Sequence, residues 1–168
     1  MHLIIDGYNL LYADHPLKPL TALELQAERD RLISQLSAYR HAKSCEVTVV
    51  FDGWQGGWST EKKERTKGIE VIFSRLGERA DEVIKRLVRE KGAGVIIVTS
   101  DRDVSRYAER MSVTAIPSDR FREKMERPLT RADKEDGPEE MGEGLKRKGP
   151  SKRLSKRERR ARMALKKL

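Results

Sequence analysis

The sequence predicts an α/β fold, in which a mostly parallel five-stranded sheet forms the middle layer of a three-layer sandwich. Short apolar runs rich in β-branched residues alternate with segments of helical periodicity over residues 1–127. Runs that are apolar throughout are typical of parallel strands that are buried on both faces. Right-handed crossovers between such strands place the intervening helices on the two sides of the sheet.

Five apolar runs are the predicted strands, and apolar stripes at helical spacing indicate four helices. The strands cover residues 3–5, 46–51, 69–73, 95–99 and 113–116. The first helix begins at a capping box formed by Thr21 and Glu24, and no helix is predicted before it. The apolar stripe of the first helix is Leu25, Leu32, Ile33, Leu36 and Tyr39, that of the second is Ala80, Val83, Ile84, Leu87 and Val88, and that of the third is Val104, Tyr107, Ala108 and Met111. The fourth predicted helix covers residues 118–127.

Charge divides the chain of 168 residues into three segments. Residues 1–127 contain 22 basic and 20 acidic side chains, residues 128–144 contain 2 and 6, and residues 145–168 contain 12 and 1. We therefore predict a folded domain over 1–127 and an acidic linker over 128–144. The segment 145–168 is predicted to be a basic tail that is disordered alone or helical on binding.

Composition and pattern exclude several classes of protein. The longest apolar runs extend for about five residues, whereas a membrane-spanning helix needs roughly 18–20. The N-terminus has no basic region before Asp6, so it does not have the pattern of a signal peptide. Cys45 is the single cysteine, which allows neither an internal disulfide nor a multi-cysteine zinc site. We expect a cytoplasmic protein without membrane contact.

Carboxylates follow the predicted strands where those strands end. Asp6 follows the first strand, Asp52 the second, and Asp101 and Asp103 the fourth, while Asp81 opens the helix after the third. The carboxyl ends of parallel strands share one edge, which is where ligands bind in open α/β folds. Carboxylates gathered there raise one another's pKa unless a cation balances them. Oxygen ligands suit Mg²⁺ or Mn²⁺, which activate water and assist displacement at phosphorus.

A structural explanation exists for each of these carboxylates taken alone. Asp101 or Asp103 can cap the helix that follows, Asp81 suits the positive end of a helix dipole, and Asp52 lies in an ordinary turn pair. Asp6 fits such an explanation least, because no helix is predicted close behind it. The coincidence of five carboxylates at one edge is therefore what favours a metal site. A receiver domain fits the acids poorly, and neither a GxGxxG loop nor a Walker A motif is present.

Four motifs in the same order resemble the NYN-domain proteins of the YacP type, within the PIN-like nuclease superfamily. They are IIDGYNLL at residues 4–11, VVFDG at 49–53, ADEVI at 80–84 and VTSDRDV at 98–104. The resemblance covers residues 1–127, and the basic tail does not match the family's core pattern. It implies a PIN-like fold and a metal-dependent endoribonuclease, in a family of which one branch cleaves messenger RNA on the ribosome.

The same resemblance assigns roles to individual residues. It implies catalytic and metal-binding roles for four carboxylates, Asp6, Asp81, Asp101 and Asp103. It also implies Mg²⁺ or Mn²⁺ as the cofactor and leaves open whether one ion binds or two. Asn9 is placed at the site as a polar contact, and Asp52 matches the acid at the end of the family's second strand.

Aromatic and cationic side chains near the predicted edge are candidates to bind RNA. They are Trp54 and Trp58 of a glycine-rich loop, Lys62 and Lys63 after it, and Arg79 and Arg102. Tryptophan rings can stack on unpaired bases while cations hold phosphates. The alternative is that a tryptophan covers the edge of the core and that the cations form a solvated surface.

The basic tail is predicted to bind a polyanion, and nucleic acid, including ribosomal RNA, fits better than a membrane surface. Ser155 and Glu158 form a capping box ahead of a thin apolar stripe.

Two function classes remain for the whole chain. One is a metal-dependent endoribonuclease acting on RNA such as ribosome-associated mRNA, and the other is a non-catalytic RNA- or ribosome-binding adaptor with a structural acidic site. A flap-type DNA nuclease fits less well, because the chain has no room for the extra DNA-binding helices of that class.

Overall fold

The computed structural model describes residues 1–13, 20–53, 59–126 and 155–168. Within these ranges the strands are β1 (His2–Asp6), β2 (Glu46–Phe51), β3 (Lys62–Thr66), β4 (Ile69–Phe73), β5 (Val95–Val98) and β6 (Thr114–Ile116). The helices are α1 (Gly7–Leu11), α2 (Ala22–Lys43), α3 (Ala80–Lys91), α4 (Arg102–Arg110), α5 (Ser118–Glu126) and α6 (Lys156–Lys167). No helix in these ranges is both long enough and apolar enough to span a bilayer.

The strands form one sheet in the order β3-β4-β2-β1-β5-β6. All neighbouring pairs are parallel except β3 and β4, which are antiparallel. The predicted α/β sandwich with a mostly parallel sheet is confirmed, and the sheet has one strand more than the five predicted. The additional strand is β3, whose sequence KKERT contains no apolar residue. Charged, exposed sequences are common in edge strands, where they discourage pairing with other chains.

Two apolar layers cover the sheet, because successive side chains of each strand alternate between its faces. Leu3, Val49 and Val71 face the layer built by α1, α2 and α5. Ile4, Val50 and Ile72 face α3 and α4. Strands buried on both faces explain why the sequence shows continuous apolar runs rather than alternation.

Helix α1 contradicts the expectation that no helix precedes Thr21. It begins directly after Asp6, whose side chain accepts a hydrogen bond from the backbone amide of Asn9 at 3.1 Å and so caps the helix. Gly7 is required at this junction because a Cβ there would collide with the ring of Phe51. The predicted capping box of α2 is present, with the amide of Thr21 donating to the Glu24 carboxylate at 2.8 Å.

Helix α6 lies across the free edge of the sheet beside β6. Its N-terminal part is tied to α4 by an ion pair between Arg157 and Glu109, at 3.0 Å. Its C-terminal part enters the core on the α2 side, where Ala164 and Leu168 are buried. The hydroxyl of Tyr39 donates to the carbonyl of Leu168 at 3.0 Å. The described part of the segment predicted as a tail is therefore a helix packed on the domain, whereas the predicted linker 128–144 lies outside the described residues.

Candidate active site

Asp6 is held in a fixed position where β1 passes into α1. Only 3% of the residue is exposed. One carboxylate oxygen accepts the Asn9 amide, and the other accepts the Asn9 side-chain amide at 2.6 Å and the Thr99 hydroxyl at 3.3 Å. Burial raises the pKa of Asp6 to about 6, and the charge of Asp81 adds to this rise while the hydrogen bonds from Asn9 and Thr99 oppose it. The carboxylate is thus immobilised in a place where its charge is poorly solvated.

Asp81 lies in the first turn of α3, within electrostatic reach of three other carboxylates. Burial raises its pKa, the guanidinium of Arg79 opposes the rise, and the charges of Asp101 and Asp52 add to it. Arg79 Nη2 lies 3.4 Å from the Asp81 carboxylate, but the Arg79 side chain is 78% exposed. Asp81 also raises the pKa of Asp6. The structure therefore gathers negative charge from β1, β2, α3 and α4 around one space.

Asp52 and Asp101 each cap a helix at this edge. Asp52 Oδ1 accepts a hydrogen bond from the amide of Ala80 at 2.6 Å. Asp52 follows β2 and thus caps α3 from another part of the chain, because the N-cap residue Arg79 makes no side-chain capping bond. Asp101 Oδ1 accepts the amides of Asp103 at 2.7 Å and Val104 at 2.9 Å. The structural explanation left open for Asp101 is present. In both residues the described hydrogen bonds use Oδ1.

A hydrogen-bond network fixes the spacing between the ends of β1, β5 and β6. The Asn9 side-chain carbonyl accepts the amide of Ser100 at 3.3 Å, and the amide of Asp101 donates to the Thr99 hydroxyl at 3.0 Å. The Ser100 hydroxyl accepts the amide of Ser118 at 3.1 Å. Asn9 and Thr99 therefore touch both the Asp6 carboxylate and the backbone that carries Asp101. This network positions the two acids relative to each other.

The donor set fits a hard divalent cation, although the protein alone does not complete a site. Within the described ranges, no three His, Cys, Asp or Glu side chains converge as a ligand group. Mg²⁺ is commonly bound by one or two carboxylates together with waters and substrate phosphates, so a complete protein cage is not required. A cation here would also offset the carboxylate charges that add to the effect of burial on the pKa of Asp6 and Asp81.

Comparison with known proteins decides the family to which this site belongs. The model of the YacP-like NYN domain matches residues 3–167. The chain belongs to the YacP-like NYN domain family. A match that reaches residue 167 includes α6, which the sequence motifs had left outside the family pattern.

Relatives of this YacP-like NYN domain come from Bacillus subtilis. The uncharacterized protein YacP of strain 168 is 38% identical over 87 residues, which are 52% of this chain and 51% of YacP. The match thus spans about half the length of that curated relative. Crystal structures of Rae1 (YacP), one of them of a point mutant, superpose with TM-scores of 0.62 and 0.60 at 26% and 27% identity. Each alignment covers 75% of this chain and 74% of the other.

Other candidate residues of this NYN domain lie in different surroundings. The side chain of Asp103 is 83% exposed and lies 4.0 Å from Arg106. Arg102 is exposed at the first position of α4. Lys62 and Lys63 belong to edge strand β3 and pair with glutamates, Glu64 at 3.0 Å and Glu61 at 3.3 Å. Trp54 and Trp58 lie outside the described residues.

Sequence reasoning missed two of the side chains that organise the site. Thr99 directly follows β5 and is 1% exposed, and its place two residues before Asp101 is a local signal that could have identified it. Arg29 of α2 also approaches this edge, where it stacks on the ring of Phe73. No local pattern marks Arg29, because its neighbours at the site come from other parts of the chain.

Proposed function

We propose that this chain is a divalent-metal-dependent endoribonuclease that hydrolyses phosphodiester bonds in RNA. The observation that carries the proposal is the shared negative charge at the carboxyl edge, where burial and neighbouring carboxylates raise the pKa of Asp6 and Asp81. Membership of the YacP-like NYN family supports a nuclease, and the likeness to Rae1 (YacP) supports the fold on which we place the site.

Mg²⁺ or Mn²⁺ would bind at this edge through one or two of the carboxylates Asp6, Asp81 and Asp101, together with waters and substrate phosphates. When bound, the ion supplies an activated water and stabilises charge on the attacking and leaving oxygens. Asn9 and Thr99 keep the Asp6 carboxylate rigid through three hydrogen bonds. Burial raises the pKa of Asp6 to about 6, so Asp6 is mostly ionised at pH 7–8, which is the state that binds a cation. Asp103 would serve a second ion only if its exposed side chain turned toward the site.

The finer assignments of substrate and partner follow from the family resemblance and the charge of α6. We propose ribosome-associated mRNA in the cytoplasm as the substrate, with ribosomal RNA as a further partner. Helix α6 exposes Arg159, Arg162 and Lys166 on its solvent side. Cations held on a docked helix neutralise phosphates without the cost of ordering a free tail.

A second candidate function is that of an RNA- or ribosome-binding adaptor without catalysis. The observation that favours it is that Asp6, Asp52 and Asp101 each cap a helix. Capping gives these acids a structural purpose that needs neither a metal nor turnover. Under this hypothesis the chain would bind RNA and would not cleave it.

A cleavage assay separates the two functions. Labelled RNA and DNA of the same sequence are incubated with the full chain in Mn²⁺, in Mg²⁺ and in EDTA, and the cuts are mapped. We expect cuts in RNA that EDTA abolishes. Asp6→Asn and Asp81→Asn should each lose at least about a hundredfold in rate, equivalent to roughly 2.7 kcal/mol of transition-state stabilisation.

Glu90→Gln, which alters an exposed carboxylate near the C-terminal end of α3, is the matched control and should cut like the wild type. RNA binding without any cut under these conditions would establish the adaptor instead. Full activity in both site variants would refute the assignment of the metal ligands.

A further inference from the structure

Aromatic side chains form a wall on the α2 side of the edge that carries the carboxylates. Tyr8 follows the Asp6–Gly7 junction, Phe51 precedes Asp52, and Phe73 ends β4. The ring centroids of Phe51 and Phe73 are 5.7 Å apart, and those of Tyr8 and Phe51 are 5.2 Å apart. This wall and the carboxylates therefore share one edge of the sheet but lie toward its opposite faces.

Arg29 covers the aromatic wall from α2. Its guanidinium carbon lies 5.6 Å from the centroid of Phe73, and its Nη2 donates to the side-chain carbonyl of Gln26 at 2.8 Å. Its Nε is buried and meets no acceptor in the described ranges. Burial raises the pKa of the Tyr8 phenol, and the positive charge of Arg29 opposes that rise. The guanidinium is thus held at the edge of the sheet by neutral groups.

No carboxylate in the described part of the chain forms an ion pair with Arg29. Other cations of the same edge do have such partners, since Arg79 pairs with Asp81 and Arg75 pairs with Glu78. A partly buried guanidinium that forms no ion pair is costly, because it has lost water and made no direct contact with an anion in return. An anion supplied by a ligand would offset this cost.

Arg40 shows by contrast what a balanced guanidinium looks like in this protein. Its Nε is also buried without an acceptor among the described residues. However, Arg40 lines a cavity of about 450 Å³ whose wall contains three carboxylates, Glu46, Glu64 and Glu70, together with three further cations, Lys63, Arg65 and Lys91. Arg40 therefore lies beside carboxylates of its own chain, and the mixed charge of this cavity gives no similar reason to expect an anionic ligand there.

We propose that Arg29 binds a backbone phosphate of the RNA substrate, a role that rests on the proposed function and deepens it. A planar guanidinium presents paired N–H donors that match phosphate oxygens. Because Arg29 lies on the α2 side while Asp6 faces α3, the phosphate at Arg29 is a different one from the phosphate that is hydrolysed. The RNA strand would thus cross the edge of the sheet from the carboxylates to Arg29, which makes Arg29 a positioning residue.

Binding of a labelled single-stranded RNA to the full chain in EDTA, measured by fluorescence anisotropy over a series of salt concentrations, tests this role. We expect Arg29→Gln to raise Kd about tenfold and to reduce the slope of log K against log salt by about 0.7, the value for one lost contact to a single strand. Arg29→Lys should keep the slope and weaken binding only a few-fold. With Mn²⁺ present, Arg29→Gln should raise KM and leave kcat unchanged.

Arg31→Gln removes an exposed cation from the same helix and is the matched control, with Kd and slope expected to stay near those of the wild type. An unchanged Kd and slope in Arg29→Gln, with RNA still bound and cut by the wild type, would overturn the role of Arg29 and leave the proposed function intact. If the wild type neither binds nor cuts RNA, both fall. Should Arg29→Gln fail to fold, Arg29→Lys decides, because wild-type affinity in that variant would refute a paired phosphate contact.

Discussion

One face of the sheet packs on α3, and polar side chains lie at both ends of this face. Their charges offset one another at the amino end and do not at the carboxyl end. At the amino end His2 Nε2 lies 2.8 Å from the Thr48 hydroxyl, which donates to the Glu70 carboxylate at 2.7 Å. His2 Nδ1 lies 3.4 Å from Glu46. Lys91 is close enough to help burial lower the pKa of His2. Acids, hydroxyl and cations at this end therefore offset one another.

The carboxyl end also carries several polar side chains, but negative charge is in excess there. Four carboxylates interact there, and Arg79 is the cation that the described structure pairs with one of them. Burial raises the pKa of both Asp6 and Asp81, and the charges of the neighbouring carboxylates add to the rise. The comparison teaches that polar residues within a sheet do not by themselves indicate a catalytic site. An imbalance of charge that lowers stability is the better indicator.

The largest effect that sharpens this comparison is expected at Asp101, where capping and metal binding can be separated. Asp101→Ser keeps a side-chain oxygen for the amides of Asp103 and Val104, so its stability should stay within a few tenths of a kcal/mol of wild type. Its RNA cleavage should nevertheless fall about a hundredfold, because the serine carries no charge for the ion. Steady-state cleavage and urea denaturation of the same samples measure both properties.

Asp101→Ala is the matched control, and it should lose the same activity and also about 0.5–2 kcal/mol of stability. If Asp101→Ser retained full cleavage, Asp101 would be a helix cap and nothing more. The carboxyl end would then have lost one of its proposed metal ligands.

A smaller effect is expected at the amino end, where His2, Thr48 and Glu70 form a row of polar side chains with a structural role. Thr48→Val removes the hydroxyl between His2 and Glu70 and leaves both without this partner. The free energy of unfolding should decrease by about 1–3 kcal/mol. The kcat for RNA cleavage should not change, because this row lies at the opposite end of the strands from Asp6. A loss of kcat in a folded Thr48→Val would show that the two ends are coupled and would break the comparison.

The sequence predicts this fold well where burial determines the local pattern. Strands β2 and β4 are continuous apolar runs, and both match the predicted bounds. Strand β3 could not be found in this way, because it is charged and pairs on one side only. Helix α1 is five residues long, begins at a glycine and is capped by Asp6, so no stripe of helical periodicity marks it in the sequence. Helix α6 shows only a thin apolar stripe, and its charge indicated a detached tail.

The carboxylates of the site were predictable because strand order places their backbone positions on one edge. Their individual surroundings were not predictable, since these depend on tertiary contacts. The cap that Asp52 provides for α3 joins residues 28 positions apart in the chain. The link from Asn9 to the amide of Ser100 spans 91 positions. Arg29 belongs to the same class, because only the packing of α2 brings it to Phe73.

The central claim is that the carboxyl edge holds negative charge that a divalent cation neutralises, and the pH dependence of stability tests it most directly. Because the pKa of folded Asp6 is raised from an ordinary 3.8 to about 6, the folded protein binds more protons than the unfolded chain between these values. Stability contributed by protonated Asp6 is therefore lost as pH rises through this window. Asp6→Asn has no titrating carboxylate at this position, so its stability should not decrease in this way across the same pH window.

Urea denaturation of wild type and Asp6→Asn from pH 4 to pH 8, in EDTA and in Mn²⁺, is the measurement. In EDTA we predict that Asp6→Asn gains about 1–3 kcal/mol over the wild type between pH 4 and pH 7. At pH 7 Mn²⁺ should stabilise the wild type and leave Asp6→Asn nearly unchanged. Parallel pH profiles together with no effect of Mn²⁺ on the wild type would contradict the account.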